Sequence, residues 1–188
     1  MGDRCYLQLT LHGPINRPRD LVEIAKAIEA ENFDNTGDGF NVHEWRSIVD
    51  QIATMWSDGM LVQFEMQECN YANIDDVEAT LQDCGCAWSV DHAAGDGYPA
   101  GVRSWSKERG RHEAVSNDGM ATIDAIHIRR VFNTHAEDDK LAAIKKLVDE
   151  ASMAGGVDLP MKLEVGERVA RLLAGLIADE ALDLRKAS

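Results

Sequence analysis

Two short runs of alternating residues, each followed by a helical pattern, constrain the fold more than anything else in this chain. From Tyr6 to Leu11, Leu7, Leu9 and Leu11 fall on one face and Tyr6, Gln8 and Thr10 on the other, the period of a half-buried strand. Gly13-Pro14 ends the run, and Asn16 is placed to cap a helix with Pro18 in its first turn. Leu21, Ile24, Ala25 and Ile28 then recur at helical spacing. The second run, Met60 to Glu68, alternates Val62, Phe64 and Met66 with Gln63, Glu65 and Gln67 and leads through Cys69 to Asn73 into a helix over 74–83. A shift of 55 residues superposes Gln8 on Gln63, Leu9 on Phe64, Leu11 on Met66, Asp20 on Asp75, Val22 on Val77 and Glu23 on Glu78. This is either a weak internal repeat or two units made alike by universal period rules, and both give the same local architecture.

The connections follow from turn and cap chemistry. Asn32 to Gly39 is rich in turn formers and reads as a loop, after which Asn41 and Glu44 form a capping box for a helix with Trp45, Ile48, Val49, Ile52 and Trp56 on one stripe. Those tryptophans read as core, and Asp58-Gly59 ends the helix. A third strand spans Cys86 to His92, and Val102 to Glu108 pairs with Arg111 to Ser116 as a hairpin around Arg109-Gly110. Asn117-Asp118-Gly119 is a strong turn signal, and the Ile- and Val-rich stretch 121–132 reads as the last strand of a four-strand meander. Thr134 and Glu137 suit a second capping box before a helix that ends at Ala154-Gly155-Gly156, and a final helix covers 164–184.

These elements predict an α+β fold. The expected sheet is mixed or antiparallel, built from two strand–helix units in ferredoxin-like pairing plus a β-meander, with two C-terminal helices. The sheet domain is expected over 1–133 and the helical pair over 134–188, packed on the same core. At 188 residues, 45% hydrophobic and 28% charged, the composition is that of an ordinary soluble domain. No apolar run approaches the roughly 20 residues that cross a bilayer, and the N-terminus lacks the order of a signal peptide, so a cytoplasmic location is expected.

Thirty-three acidic against 19 basic residues give a net charge of −14, which disfavours direct nucleic-acid binding because phosphate contacts are made chiefly by Lys and Arg. Such acidity serves solubility, attracts a basic partner, or imitates the phosphate backbone. Asp34, Asp38, Asp75 and Asp76 are the acidic candidates for a binding surface. Against the acidic average, Arg103, Lys107, Arg109 and Arg111 concentrate on the hairpin with Trp105 among them, a combination that can stack and track single strands or meet an acidic protein.

Catalytic patterns are sparse. Cys69, Cys84 and Cys86 with His92 are the candidate metal ligands, but Cys-Gly-Cys is not zinc-ribbon spacing and no second knuckle exists. Read otherwise, the thiols are small buried hydrophobes. Six histidines accompany no Gly-x-Ser-x-Gly elbow; His12 and His92 lie at strand ends where loops could form a cleft. Gly37-Asp-Gly39 lacks the residues of a phosphate loop or a full calcium loop. The expectation is therefore a non-enzymatic acidic interaction protein without a cofactor, of the kind a phage or other mobile element uses to inhibit a nucleic-acid-handling complex by docking on its basic surface. Dimerisation through the last helix is a further expectation. The alternatives are a small Cys/His-dependent enzyme or ligand-binding domain with its site between the two units, and a single-strand binder using the 103–111 hairpin.

Overall fold

A computed structural model describes residues 4–31, 33–35, 45–117 and 119–187. Thirteen elements follow in order: β1 (Arg4–Gly13), α1 (Pro18–Ala30), β2 (Asp34–Asn35), α2 (Trp45–Ser57), β3 (Val62–Asn70), α3 (Asp75–Cys84), β4 (Ala87–His92), β5 (Gly101–Ser106), β6 (Gly110–Asn117), β7 (Met120–Ala121), α4 (Ala125–Thr134), α5 (Glu137–Ala154) and α6 (Glu167–Ala187). The fold is α+β. All seven strands form one antiparallel sheet in the order β2-β3-β1-β4-β5-β6-β7.

The alternation in β1 sets the layers. Leu7, Leu9 and Leu11 are buried beside Phe64, Val62, Val90 and Trp88 of the neighbouring strands, under Leu21, Ile24 and Ile28 of α1, Ile48 and Ile52 of α2, and Val77 and Leu81 of α3. Val169 and Leu173 of α6 join the same core, and α6 packs on α1 and α2. Trp45 and Trp56 lie partly buried at its edge. The opposite face carries Gln8, Thr10 and His12. It is covered over β5 and β6 by α5, where Ser104 Oγ donates to the Met153 carbonyl at 2.5 Å. The two C-terminal helices thus pack on opposite faces of the sheet.

The first four strands stand in the order β2-β3-β1-β4, so that β3 separates β1 from β2 and β1 separates β3 from β4, the strand order of ferredoxin-like pairing. Here β1 and β3 are direct antiparallel neighbours, with Leu9 opposite Phe64, Leu7 opposite Met66 and Leu11 opposite Val62. Leu9 and Phe64 are also equivalent under the 55-residue shift, so the pairing has local two-fold character centred on them. Gln63 Nε2 donates to Gln8 Oε1 at 3.2 Å across this centre, and α1 and α3 pack side by side on one face.

Four local expectations are corrected. Asn16 does not cap α1; Arg17 holds the N-cap position without a side-chain capping bond, its guanidinium donating instead to Asp20 at 2.8 Å. The preceding residues are taken up in a tertiary pairing, with Ile15 N–H donating to the Glu164 carbonyl (3.0 Å) and Gly166 N–H to the Ile15 carbonyl (2.8 Å). Residues 34–35 form an edge strand on β3 rather than loop; Asn32 and 36–44, including the Asn41 cap, lie outside the described residues. The stretch 121–132 is chiefly helix, because Asp124 accepts from Ile126 N–H (2.7 Å) and starts α4, leaving a two-residue β7. Thr134 caps nothing, since it ends α4 with its hydroxyl on the Arg130 carbonyl (2.8 Å).

Gly13 shows how closely the C-terminal segment is seated. Its φ is +86°, and a Cβ there would lie 2.9 Å from Glu164 N and closer still to the Glu164 carbonyl oxygen. Gly13→Ala is therefore expected to cost about 1–3 kcal/mol, to be read as a lowered denaturation midpoint. The same substitution at Gly175, where a Cβ meets nothing within 4 Å, is expected to be neutral or stabilising because it replaces glycine within a helix.

Candidate functional site

The β3–α3 connection organises two adjoining grooves. Tyr71 and Ala72 both adopt left-handed backbone, with φ of 52° and 51°, a conformation costly for residues with a Cβ. The turn directs the Ala72 carbonyl inward, where it accepts from Arg103 (2.6 Å), and leaves Tyr71 on the surface between the grooves.

The first groove is acidic. Glu31, Glu68, Asp75 and Asp76 line a depression of about 610 Å³ together with Tyr71 and Asn73. Asp75 and Asp76 occupy the first turn of α3, where carboxylates complement the helix dipole. The Glu31 carboxyl is pushed above its ordinary range, first by burial and then by the charge of Asp76. A cation placed in the groove would relieve that repulsion.

The second groove, of about 520 Å³, lies on the same sheet face beyond the end of α3. Its floor is β5 and β6, and one wall is aromatic: Tyr71 and Tyr98 are 6.2 Å apart between centroids, His92 and Tyr98 5.7 Å. Gly101 makes room for His92, because a Cβ there would lie 2.5 Å from its Nε2. His92 Nδ1 donates to the Ala93 carbonyl (3.1 Å), which leaves Nε2 as an acceptor. Burial, opposed by that bond and aided by Arg103, pushes the His92 pKa down and keeps the ring neutral.

At the end of this groove Glu78 is shared by two arginines. Arg103 Nε donates to its Oε1 at 2.5 Å, while Arg111 reaches its Oε2 at 3.3 Å and Glu113 at 3.8 Å. Glu78 and Arg103 are buried and Arg111 is half-exposed. Among the described residues Glu78 Oε2 makes the Arg111 ion pair but no hydrogen bond. The buried Glu78 carboxylate offsets the desolvation of buried Arg103, while the second cation, Arg111, keeps contact with solvent and with Glu113.

The structure disperses the basic row expected on the hairpin. Arg103 is turned inward to Glu78, Trp105 packs against the core opposite Trp88, and Lys107 lies exposed in the turn. Arg109 pairs with Asp158 at 2.8 Å, and Arg111 completes the triad. Of the acidic candidates, Asp75 and Asp76 come together with Glu31 and Glu68, Asp34 is in β2, and Asp38 lies outside the described residues. Sequence reasoning missed Glu31, Glu68 and Glu78. The 55-residue shift that places Glu78 on Glu23 carried no sign that only Glu78 would be buried.

The proposed metal ligands do not assemble. Cys69 sits opposite Cys5 near the His92 end of the sheet, whereas Cys84 and Cys86 lie at the other end of β4, about 20 Å away by strand rise. Among the described residues no three His, Cys, Asp or Glu side chains are placed to hold a metal. Burial also pushes the thiols of Cys69 and Cys86 up to about 11 and about 12, which disfavours the thiolate form that reacts or ligates.

His12 has a structural task on the opposite face. Its Nδ1 donates to the Pro160 carbonyl at 2.6 Å and its Nε2 accepts from the Ser89 hydroxyl at 2.8 Å. The neutral ring thus ties the sheet to the segment after α5. No protein-family profile, curated protein or solved structure matches the chain.

Two outcomes follow. Glu78→Ala leaves Arg103 buried without its carboxylate and is expected to cost about 3–5 kcal/mol; in urea unfolding, a Glu78→Leu, Arg103→Met double variant should recover much of this. Burial holds the His12 pKa below its ordinary 6.5, so below that pH the unfolded chain takes up a proton that the folded chain refuses. His12 stabilisation is accordingly complete above 6.5 and falls as the pH drops toward the folded value. His92 acts with the same sign. The fall in denaturation midpoint from neutral to mildly acidic pH is expected to become shallower in His12→Asn.

Proposed function

We propose that this protein is a non-enzymatic interaction protein whose acidic groove receives Lys and Arg side chains from a basic surface of a partner. The observation that carries this reading is the convergence of Glu31, Glu68, Asp75 and Asp76 on one groove, where burial and then the charge of Asp76 push the Glu31 carboxyl up. The net charge of −14 adds a long-range field of the same sign. Proteins that handle nucleic acids present the matching surface, because they line their channels with Lys and Arg. An inhibitor carried by a phage or another mobile element would act by occupying such a channel.

The groups with most chemical potential are engaged inside the fold, which favours docking over catalysis. Glu78 is held by two arginines, His12 by Ser89 and Pro160, and the buried thiols are kept protonated. The single-strand reading loses support from the inward turn of Arg103 and Trp105.

The test is titration with a fluorescent Arg-rich peptide at ionic strengths of about 0.05 and 0.15 M. Saturable binding that weakens with salt, and weakens at least about tenfold on Glu68→Gln, Asp75→Asn, Asp76→Asn replacement, is expected. Asp138→Asn, Asp139→Asn on α5 removes two charges elsewhere and should have a much smaller effect. Equal loss in both variants would reduce the acidity to a general field and overturn the groove as the docking site.

A further inference from the structure

The second groove is unlike the first in chemistry and points to a different occupant. Its volume of about 520 Å³ is that of a small-molecule site. Three rings, Tyr71, Tyr98 and His92, stand in sequence along one wall, tilted at 41° and 56° to one another. A flat ring can lie on one of them while meeting the edge of the next, the arrangement aromatic pairs prefer. Across the groove, Arg111 offers a guanidinium whose carboxylate contacts, at 3.3 and 3.8 Å, are longer than a charge-assisted hydrogen bond.

Several features mark this groove as built for an occupant. The left-handed pair Tyr71 and Ala72 is a local backbone cost at the groove wall, of the kind that concentrates at ligand sites. Gly101 is the residue that permits His92 to lie over the sheet. Glu78 is 2% exposed and keeps one carboxylate oxygen without a hydrogen bond, facing Arg111 at the groove end. The buried carboxylate holds Arg111 in place while leaving its outer N–H groups to solvent.

We propose that this groove binds a small planar monoanion, an aromatic or heteroaromatic ring carrying one carboxylate, with the ring on the Tyr71–Tyr98–His92 wall and the carboxylate on Arg111. A single charge matches a single half-exposed guanidinium. Glu113 beside it and the four carboxylates beyond Tyr71 repel a polyanion such as a nucleoside triphosphate. The site adjoins the acidic groove, with which it shares Tyr71, but its anion contact, Arg111, belongs to this groove.

The experiment is a two-dimensional NMR titration of the 15N-labelled full chain with nicotinate and orotate, using nicotinamide and ATP as comparisons. Saturable shifts confined to the residues around His92, Gly101 and Arg111 are expected, with Kd at or below about 1 mM for a carboxylate. Nicotinamide, the same shape without the charge, should bind at least about tenfold more weakly, and Arg111→Gln should abolish the difference. Because Arg111 also touches Glu78, Val115→Trp provides a second variant; it fills the groove from an exposed floor position and should remove binding while preserving the remainder of the spectrum. No saturable shift from either carboxylate up to about 10 mM would overturn the proposal. So would tighter binding of ATP, or binding unchanged in both variants.

Discussion

Burial of one face of β1 is the interaction on which the remaining architecture depends. Leu7, Leu9 and Leu11 are at most 1% exposed, which requires strands on both sides and helices above. β3 and β4 supply the first, α1, α2, α3 and α6 the second. Three fully buried leucines are worth roughly 5–9 kcal/mol of transfer free energy, comparable to the net stability of a domain. The local two-fold relation of the first two units follows from the same demand, since each strand–helix pair covers one half of a shared core.

The opposite face follows a different logic. Its residues on β1 and neighbouring strands are polar, among them Gln8, Thr10, His12, Gln63 and Ser89, and hydrogen bonds rather than apolar area tie them together. Where α5 and the segment behind it close over this face, the contacts are of the same kind: Ser104 to Met153, and His12 to Pro160. The main core and this second layer thus depend on solvent conditions differently. Acid affects the His12 tie, while the leucine face is indifferent to it.

Both grooves lie where the core face runs past its covering helices. α3 ends the apolar layer, and the left-handed turn at Tyr71 and Ala72 brings the backbone down onto Arg103. On one side of that turn carboxylates face solvent together; on the other, three rings and a buried carboxylate shared by two arginines border a concave floor. Two grooves of different chemistry thus adjoin at one exposed tyrosine, Tyr71.

Much of the fold was legible in the sequence, for a reason visible in particular residues. Alternation in Tyr6 to Leu11 and in Val62 to Met66, the stripe of Ile48, Val49 and Ile52, and the turn at Arg109-Gly110 all reflect local periods that burial imposes directly. The partners of individual polar side chains were not legible. Asn16 and Thr134 had the chemistry of caps, yet the chain around Ile15 pairs with Glu164 and Gly166, and Thr134 bonds within its own helix. Strand alternation puts Arg103 and Trp105 on one face, but only the placement of α3 decided that this face was the inner one and that Glu78 would meet Arg103 there. The sequence by itself determined the elements, the acidity and the candidate residues Asp75 and Asp76. The tertiary structure alone decided which charges are neutralised and which remain to act, because periodicity is a property of neighbours along the chain and charge pairing is a property of neighbours in space.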